Sequence, residues 1–169
     1  MKAHDKPRNL VILDLNGVLI DRKYVGKASD DSEHEGTRIG HFLVYKRPGL
    51  DNFLRRLFKL FDVAVWSSAK KWNVNQLVDF IFCEPEYHFS DLKFVWCQEQ
   101  CTRETHPDEE LAKVKPLFVK SLDAVWEKFP EYNPGNTFFV DDTPEKIRSS
   151  ICDVKEIHVK VKTWKRGDE

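Results

Sequence analysis

A chain of 169 residues, 41% hydrophobic and 33% charged with a formal net charge of -1, has the profile of one globular domain. It is long enough to bury about two thirds of its unfolded surface without a disulfide or structural metal. That balance excludes a disordered chain and a nucleic-acid-coating protein, no apolar run approaches the roughly 20 residues of a membrane span, and Met1 to Leu10 is too polar for a secretory signal. The expected setting is nuclear or cytoplasmic, with no membrane and no direct nucleic-acid partner.

Asn9 to Leu15 is a nearly continuous apolar run closed by Asn16-Gly17, the pattern of a parallel strand buried on both faces and ending in a tight turn. Residues 21–40 are polar and charge-rich, with Asp30, Asp31, Glu33 and Glu35, and read as a mobile flap. His41 to Tyr45 is a short strand candidate, stopped by Pro48-Gly49. Leu50, Phe53, Leu54, Leu57, Phe58 and Phe61 follow helical spacing, and Val63 to Trp66 gives a second buried strand. Val74, Leu77, Val78, Ile81 and Phe82 repeat the helical pattern, Lys93 to Cys97 supplies a strand, and Leu122, Val125, Trp126 and Phe129 mark a further helix. Thr137 to Val140 is another strand and runs into Asp141-Asp142-Thr143-Pro144, where Thr143 can cap a helix begun by Pro144. Ile157, Val159 and Val161 alternate as an edge strand. The sequence therefore predicts an α/β domain spanning 1–169, with a mostly parallel sheet, helices on both faces and ligands beyond the strands' carboxyl ends.

Cys83, Cys97, Cys101 and Cys152 lack the spacing of a zinc site and read as reduced thiols, buried as small hydrophobes. Trp66, Trp96 and Trp126 fit core positions.

Asp14, Ser67 and the pair Asp141 and Asp142 each close a different predicted strand, so three chain-distant polar ends converge on one edge of the sheet. A carboxylate there can attack phosphorus if a metal offsets the repulsion between two anions, and further carboxylates beside it suit magnesium. Singly, each motif has a plainer reading: Asp-x-Asn-Gly as a turn, Asp-Asp-Thr-Pro as a helix cap, Lys120 as a solvated lysine, Ser67 as a strand-end hydroxyl.

Taken in order, the segments resemble the haloacid dehalogenase superfamily, in the branch of small phosphatases that act on the RNA polymerase II C-terminal domain. Val11-Ile12-Leu13-Asp14-Leu15-Asn16-Gly17-Val18-Leu19 resembles motif I, and Tyr45-Lys46-Arg47-Pro48-Gly49 the branch's Lys-Arg-Pro segment. Val65-Trp66-Ser67-Ser68-Ala69 resembles motif II, Phe118-Val119-Lys120 motif III and Phe139-Val140-Asp141-Asp142-Thr143-Pro144 motif IV. The resemblance spans residues 10–151 and implies a haloacid-dehalogenase-like fold with a minimal cap. It implies Asp14 as nucleophile and magnesium ligand, Ser67 and Ser68 as phosphate-binding, and Lys120 as the cation neutralising the transferring phosphoryl. It also implies Asp142 as a metal ligand supported by Asp141, with Asn16 offering its backbone carbonyl to the ion.

Asn16 stands where the family carries a second aspartate, the proton carrier for the leaving oxygen and the attacking water. An amide can carry neither proton, and losing a positioned acid and base costs about 10²–10⁴-fold. The leading expectation is thus a magnesium-dependent phosphoserine/phosphothreonine phosphatase of reduced or specialised activity, monomeric, acting on a phosphorylated protein or peptide. Lys70 and Lys71, just after motif II, can steer such a substrate. A phosphopeptide-binding module without turnover and a small-molecule or nucleotide phosphatase are the alternatives. His34, His41 and His106 are candidate proton carriers by position only, and read better as surface or packing residues.

Overall fold

A computed structural model describes residues 8–26, 35–114 and 116–168. The chain runs β1 (Leu10–Leu13), β2 (Ile20–Tyr24), β3 (Thr37–Ile39), β4 (Phe42–Lys46), α1 (Leu50–Leu60), β5 (Asp62–Trp66), α2 (Lys71–Ile81), β6 (Cys83–Glu84), β7 (Tyr87–His88), β8 (Val95–Trp96), β9 (Thr102–Glu104), α3 (Glu109–Ala112), β10 (Leu117–Ser121), α4 (Leu122–Lys128), β11 (Thr137–Asp141), β12 (Ile147–Arg148) and β13 (His158–Lys160).

The period-2 alternation of buried strands builds two cores on one sheet. Val11, Leu13, Val63 and Val65 face Leu54, Leu57, Val74, Leu77 and Val78 of α1 and α2. The intervening Leu10, Ile12, Ala64 and Trp66 face Leu122, Val125 and Trp126 of α4. Helices thus cover both faces of a parallel sheet of order β13-β11-β1-β5-β8, as expected. On the α4 side aromatic edges interlock, with Trp66 and Trp96 rings 4.8 Å apart and T-shaped. The buried Trp126 indole N–H there donates to Thr137 Oγ1 at 3.0 Å.

Several expectations are corrected. Within the polar stretch 21–40, β2 and β3 pair antiparallel with β4 as a three-stranded sheet. Their charged residues hide a ladder that needs one buried face only. Positions 27–34, with Asp30, Asp31, Glu33 and His34, lie outside the described residues. The strand expected over Lys93 to Cys97 shortens to Val95–Trp96, and Phe53 lies off the buried stripe of α1, 41% exposed. Pro144 opens only a 3-10 turn, and the Thr143 hydroxyl donates to Asp142 Oδ1 at 2.8 Å instead of capping it. Cys83 is exposed, against the expectation of burial; Cys97 is buried and Cys101 and Cys152 half-buried. Strand β10 has no counterpart in the sequence reading, because Lys120 interrupts its apolar pattern. It pairs with β9 and β12 in a small second sheet.

Candidate active site

The carboxyl ends of β1, β5, β10 and β11 meet at one corner. Asp14 follows β1, its N–H donating to Val140 O at 3.0 Å, and Asp141 ends the adjacent β11. Lys120 comes from β10 and is fully buried; its Nζ lies 2.7 Å from Asp141 Oδ2 and 3.3 Å from Asp14 Oδ1. An isolated buried ammonium would cost several kcal/mol, about as much as a lost buried ion-pair partner, so two carboxylates are what permit it. Burial alone would lower the lysine's pKa, but Asp14 and Asp141 outweigh it and hold the ammonium above its ordinary value. Burial raises the Asp141 pKa, with Lys120 pulling down and Asp14 pushing up, and the net shift is upward. Lys120 also stands over the Phe139 ring at 5.0 Å, so motif III is held from below as well as from the sides.

Asp142 turns outward beside this pair and behaves oppositely. Partial burial pushes its pKa up, but the Thr143 hydroxyl, Thr163 and Lys146 together bring it below the usual value. One carboxylate oxygen from each of Asp14, Asp141 and Asp142 lies within 4.8 Å of the others. Asp14 Oδ1, with Lys120 beside it as an ion-pair contact, is buried without a hydrogen-bond partner. An orphaned buried oxygen within an all-oxygen donor set fits a hard cation such as magnesium, which takes carboxylate ligands at about 2.1 Å.

The Asn16-Gly17 turn borders the site beside Asp142. Gly17 has φ 81°, and a Cβ there would strike the Asp142 carboxylate and stand 3.0 Å from Thr163 Cγ2. Its N–H bonds Ile20 O at 2.8 Å. Sequence reasoning took this glycine only for a turn former, yet it makes room for a candidate metal ligand. Asn16 itself is exposed at the rim.

On the other side, Ser67 is buried at the end of β5 and its Oγ accepts the Ala69 N–H at 3.3 Å. Ser68 is half-buried, and Lys70 and Lys71 are exposed at the start of α2. His41 is exposed, His106 Nδ1 accepts the Asp108 N–H at 3.1 Å in a local turn, and His34 lies outside the described residues. The residues that sequence reasoning missed belong to the last segment of the chain. Trp164 N–H donates to Gly17 O at 2.8 Å, and Thr163 approaches Asp142. Only the run of lysines and a tryptophan after β13 hinted at them.

With this geometry established, the likenesses to known proteins fall into place. The family model for NLI interacting factor-like phosphatases matches residues 9–169. An uncharacterised FCP1 homology domain-containing protein of Schizosaccharomyces pombe is 35% identical over 147 residues, covering 82% of this chain and 56% of that protein. A CTD phosphatase-like protein of Invertebrate iridescent virus 6 is 24% identical, over 83% of this chain and 80% of its own length. The fission yeast RNA polymerase II CTD phosphatase Fcp1, as its R271A variant bound to beryllium fluoride, superposes with a TM-score of 0.54 at 15% identity, over 85% of this chain and 41% of that one. The chain thus spans about half the length of its fission yeast relatives. No helix among the described residues is long and apolar enough to cross a membrane. Motif order, the buried lysine between two aspartates and the family match over nearly the whole sequence agree, and the chain belongs to the NLI interacting factor-like (FCP1 homology) phosphatases of the haloacid dehalogenase-like superfamily.

Proposed function

We propose that the chain is a magnesium-dependent phosphatase for phosphoserine and phosphothreonine in proteins, the RNA polymerase II C-terminal domain among them, working through an aspartyl-phosphate on Asp14. The supporting observation is the buried arrangement of Asp14 against Lys120, with Lys120 anchored on Asp141 at 2.7 Å and the rim left open at exposed Asn16. Phosphoryl transfer asks mainly for positioning and charge stabilisation. Lys120 lies 3.3 Å from Asp14 Oδ1 and places a fixed positive charge where the phosphoryl oxygens gather. Ser67 and Ser68 offer hydroxyls from the motif II loop, and exposed Lys70 and Lys71 draw the phosphate in. Magnesium, held by Asp14, Asp142 and the Asn16 carbonyl with Asp141 in support, would offset the charge repulsion between nucleophile and phosphate.

In the first step an Asp14 oxygen bonds to phosphorus and the ester P–O bond breaks, releasing the alcohol; in the second, water cleaves the aspartyl-phosphate to inorganic phosphate. Each step needs a proton carrier, and the amide of Asn16 supplies none. Turnover is therefore slow, or restricted to good leaving groups. Asn16 also favours a second reading, a module that holds phosphopeptides without turnover.

Hydrolysis of an aryl phosphate and of phosphopeptides, with and without magnesium, separates the readings when the chain is compared with Asn16→Asp and Asp14→Ala. The expected order is Asn16→Asp fastest, by about 10² or more, with Asp14→Ala inert. Equal, metal-independent rates for all three would end the enzymatic reading, and tight phosphopeptide binding without turnover even in Asn16→Asp would establish the binding module.

A further inference from the structure

The last segment of the chain, residues 161–168, leaves β13 and runs along the site. Two adjoining hollows, about 630 Å³ and 240 Å³, lie between it and the β3–β4 edge, sharing Pro48, Trp164 and Asp168. Their walls are tied to the turn that follows Asp14. Besides the Trp164 bond to Gly17, Arg47 donates its backbone N–H to Leu19 O at 2.9 Å and its Nη1 to Val18 O at 3.1 Å. A substrate chain leaving the phosphoryl site over the Asn16-Gly17 turn meets this groove directly.

Its charge is biased. Lys46, Arg47, Lys162 and Arg166 line the two hollows against Glu35 and Asp168, whereas Lys155 lies outside them. At the outer end the cations are already engaged: Arg166 pairs with Glu35 at 2.6 Å and lies over the Tyr45 ring at 4.5 Å, and Lys46 pairs with Asp51 at 3.6 Å. At the inner end, nearest the site, Lys162 is exposed and makes no ion pair among the described residues. The Arg47 side chain hydrogen-bonds the Val18 carbonyl there and makes no ion pair among the described residues. The floor supplies apolar contact through Trp164, Pro48, Tyr45 and Phe80.

We propose that this groove seats the acidic residues that flank the phosphorylated side chain in a peptide substrate, so that the chain prefers phosphoserine or phosphothreonine embedded in acidic sequence. The proposal rests on the phosphoprotein reading above. It goes further by giving Lys162 a specificity-determining role and Trp164 the platform beneath the peptide. Complementary charge at a rim acts on encounter and discrimination more than on raw affinity. A nucleic acid would need a longer cationic track with repeated stacking surfaces, whereas the unpaired cations here occupy one end of a short groove.

The test is binding, not turnover. Fluorescein-labelled peptides with a non-hydrolysable phosphonate in place of phosphoserine, flanked by either Asp/Glu or Lys, are titrated into the full chain, Lys162→Glu and Lys155→Glu at two salt concentrations. Anisotropy is the readout. Expected is tighter binding of the acidic peptide by the unmodified chain, an approximately tenfold loss in Lys162→Glu alone, since reversing one exposed charge removes an attraction and adds a repulsion, and a smaller salt dependence in that variant. No preference between the peptides, or equal losses in Lys162→Glu and Lys155→Glu, overturns the proposal. So does a single-stranded oligonucleotide that displaces the acidic peptide better than the unlabelled peptide does. A chain that shows the preference yet hydrolyses no phosphate, even as Asn16→Asp, keeps the groove and loses the enzymatic reading.

Discussion

Asp141 and Asp142 are neighbours in sequence and opposites in environment. Asp141 points into the floor with Lys120 and Asp14 and is fully buried, and its pKa is raised by that burial. Asp142 points toward the rim, where hydroxyls and Lys146 overcome a partial burial and lower its pKa. One strand end thus divides the site into a floor, where charge is fixed by packing, and a rim, where charge meets water. The floor holds its charges in fixed positions by packing, and the rim is the part of the site that an incoming ligand can reach.

The sharpest way to break that division is to empty the floor of its cation. Lys120→Met keeps the length of the side chain but leaves Asp14 and Asp141 facing each other without the ammonium that both contact. Removing one partner from a buried ion pair costs about 3–5 kcal/mol, and urea unfolding should show a loss of that size. A loss under about 1 kcal/mol would mean that water reaches the floor.

Gly17 joins the two zones, and Gly17→Ala should cost less, about 2 kcal/mol from the left-handed φ of 81° and the intruding methyl together. Because that methyl displaces the Asp142 carboxylate, magnesium affinity measured by calorimetry should fall with stability. Unchanged affinity would remove Asp142 from the metal site.

How much of this could be read in the sequence follows the same division. The strands β1, β5 and β11 and the helices α1, α2 and α4 were legible because two-sided burial and helical stripes leave periodic patterns. The motif aspartates were legible because they end those strands. Strand β10 was not, since burying Lys120 breaks the apolar run and only the two partner carboxylates, far off in sequence, make that burial tolerable. The β2-β4-β3 sheet was lost behind charged residues on its solvent side. The contact of Trp164 with Gly17 joins segments 147 positions apart through backbone atoms, which no side-chain pattern encodes.

Titration sharpens the comparison without any substitution. Followed by the carboxyl carbons in NMR on the metal-free protein, Asp141 should titrate above the ordinary 3.8 and Asp142 below it. The linkage signs differ accordingly. The depressed Asp142 pKa contributes stability that is present above 3.8 and lost as pH falls through the folded value. The raised Asp141 pKa does the reverse: between 3.8 and its folded value the native state holds a proton that the unfolded chain has released, so raising the pH through that window removes stability. Added magnesium should draw both titrations downward, because an ion favours the carboxylate form. Coincident titrations would put the two residues in one environment and dissolve the floor and rim distinction.

The smallest effect belongs to the rim alone. Lys70 and Lys71 are exposed at the start of α2, so Lys70→Ala with Lys71→Ala should leave unfolding within about 0.5 kcal/mol of the unmodified chain. Whatever they contribute to substrate capture is long-range and screened within about 8–10 Å at physiological salt. The double variant should therefore lower kcat/KM for a phosphopeptide several-fold at low salt, leave kcat nearly unchanged, and converge on the unmodified chain as salt rises. A loss that persists at high salt would mean direct contact with the phosphate, and would move the two lysines from the rim into the site beside Ser67.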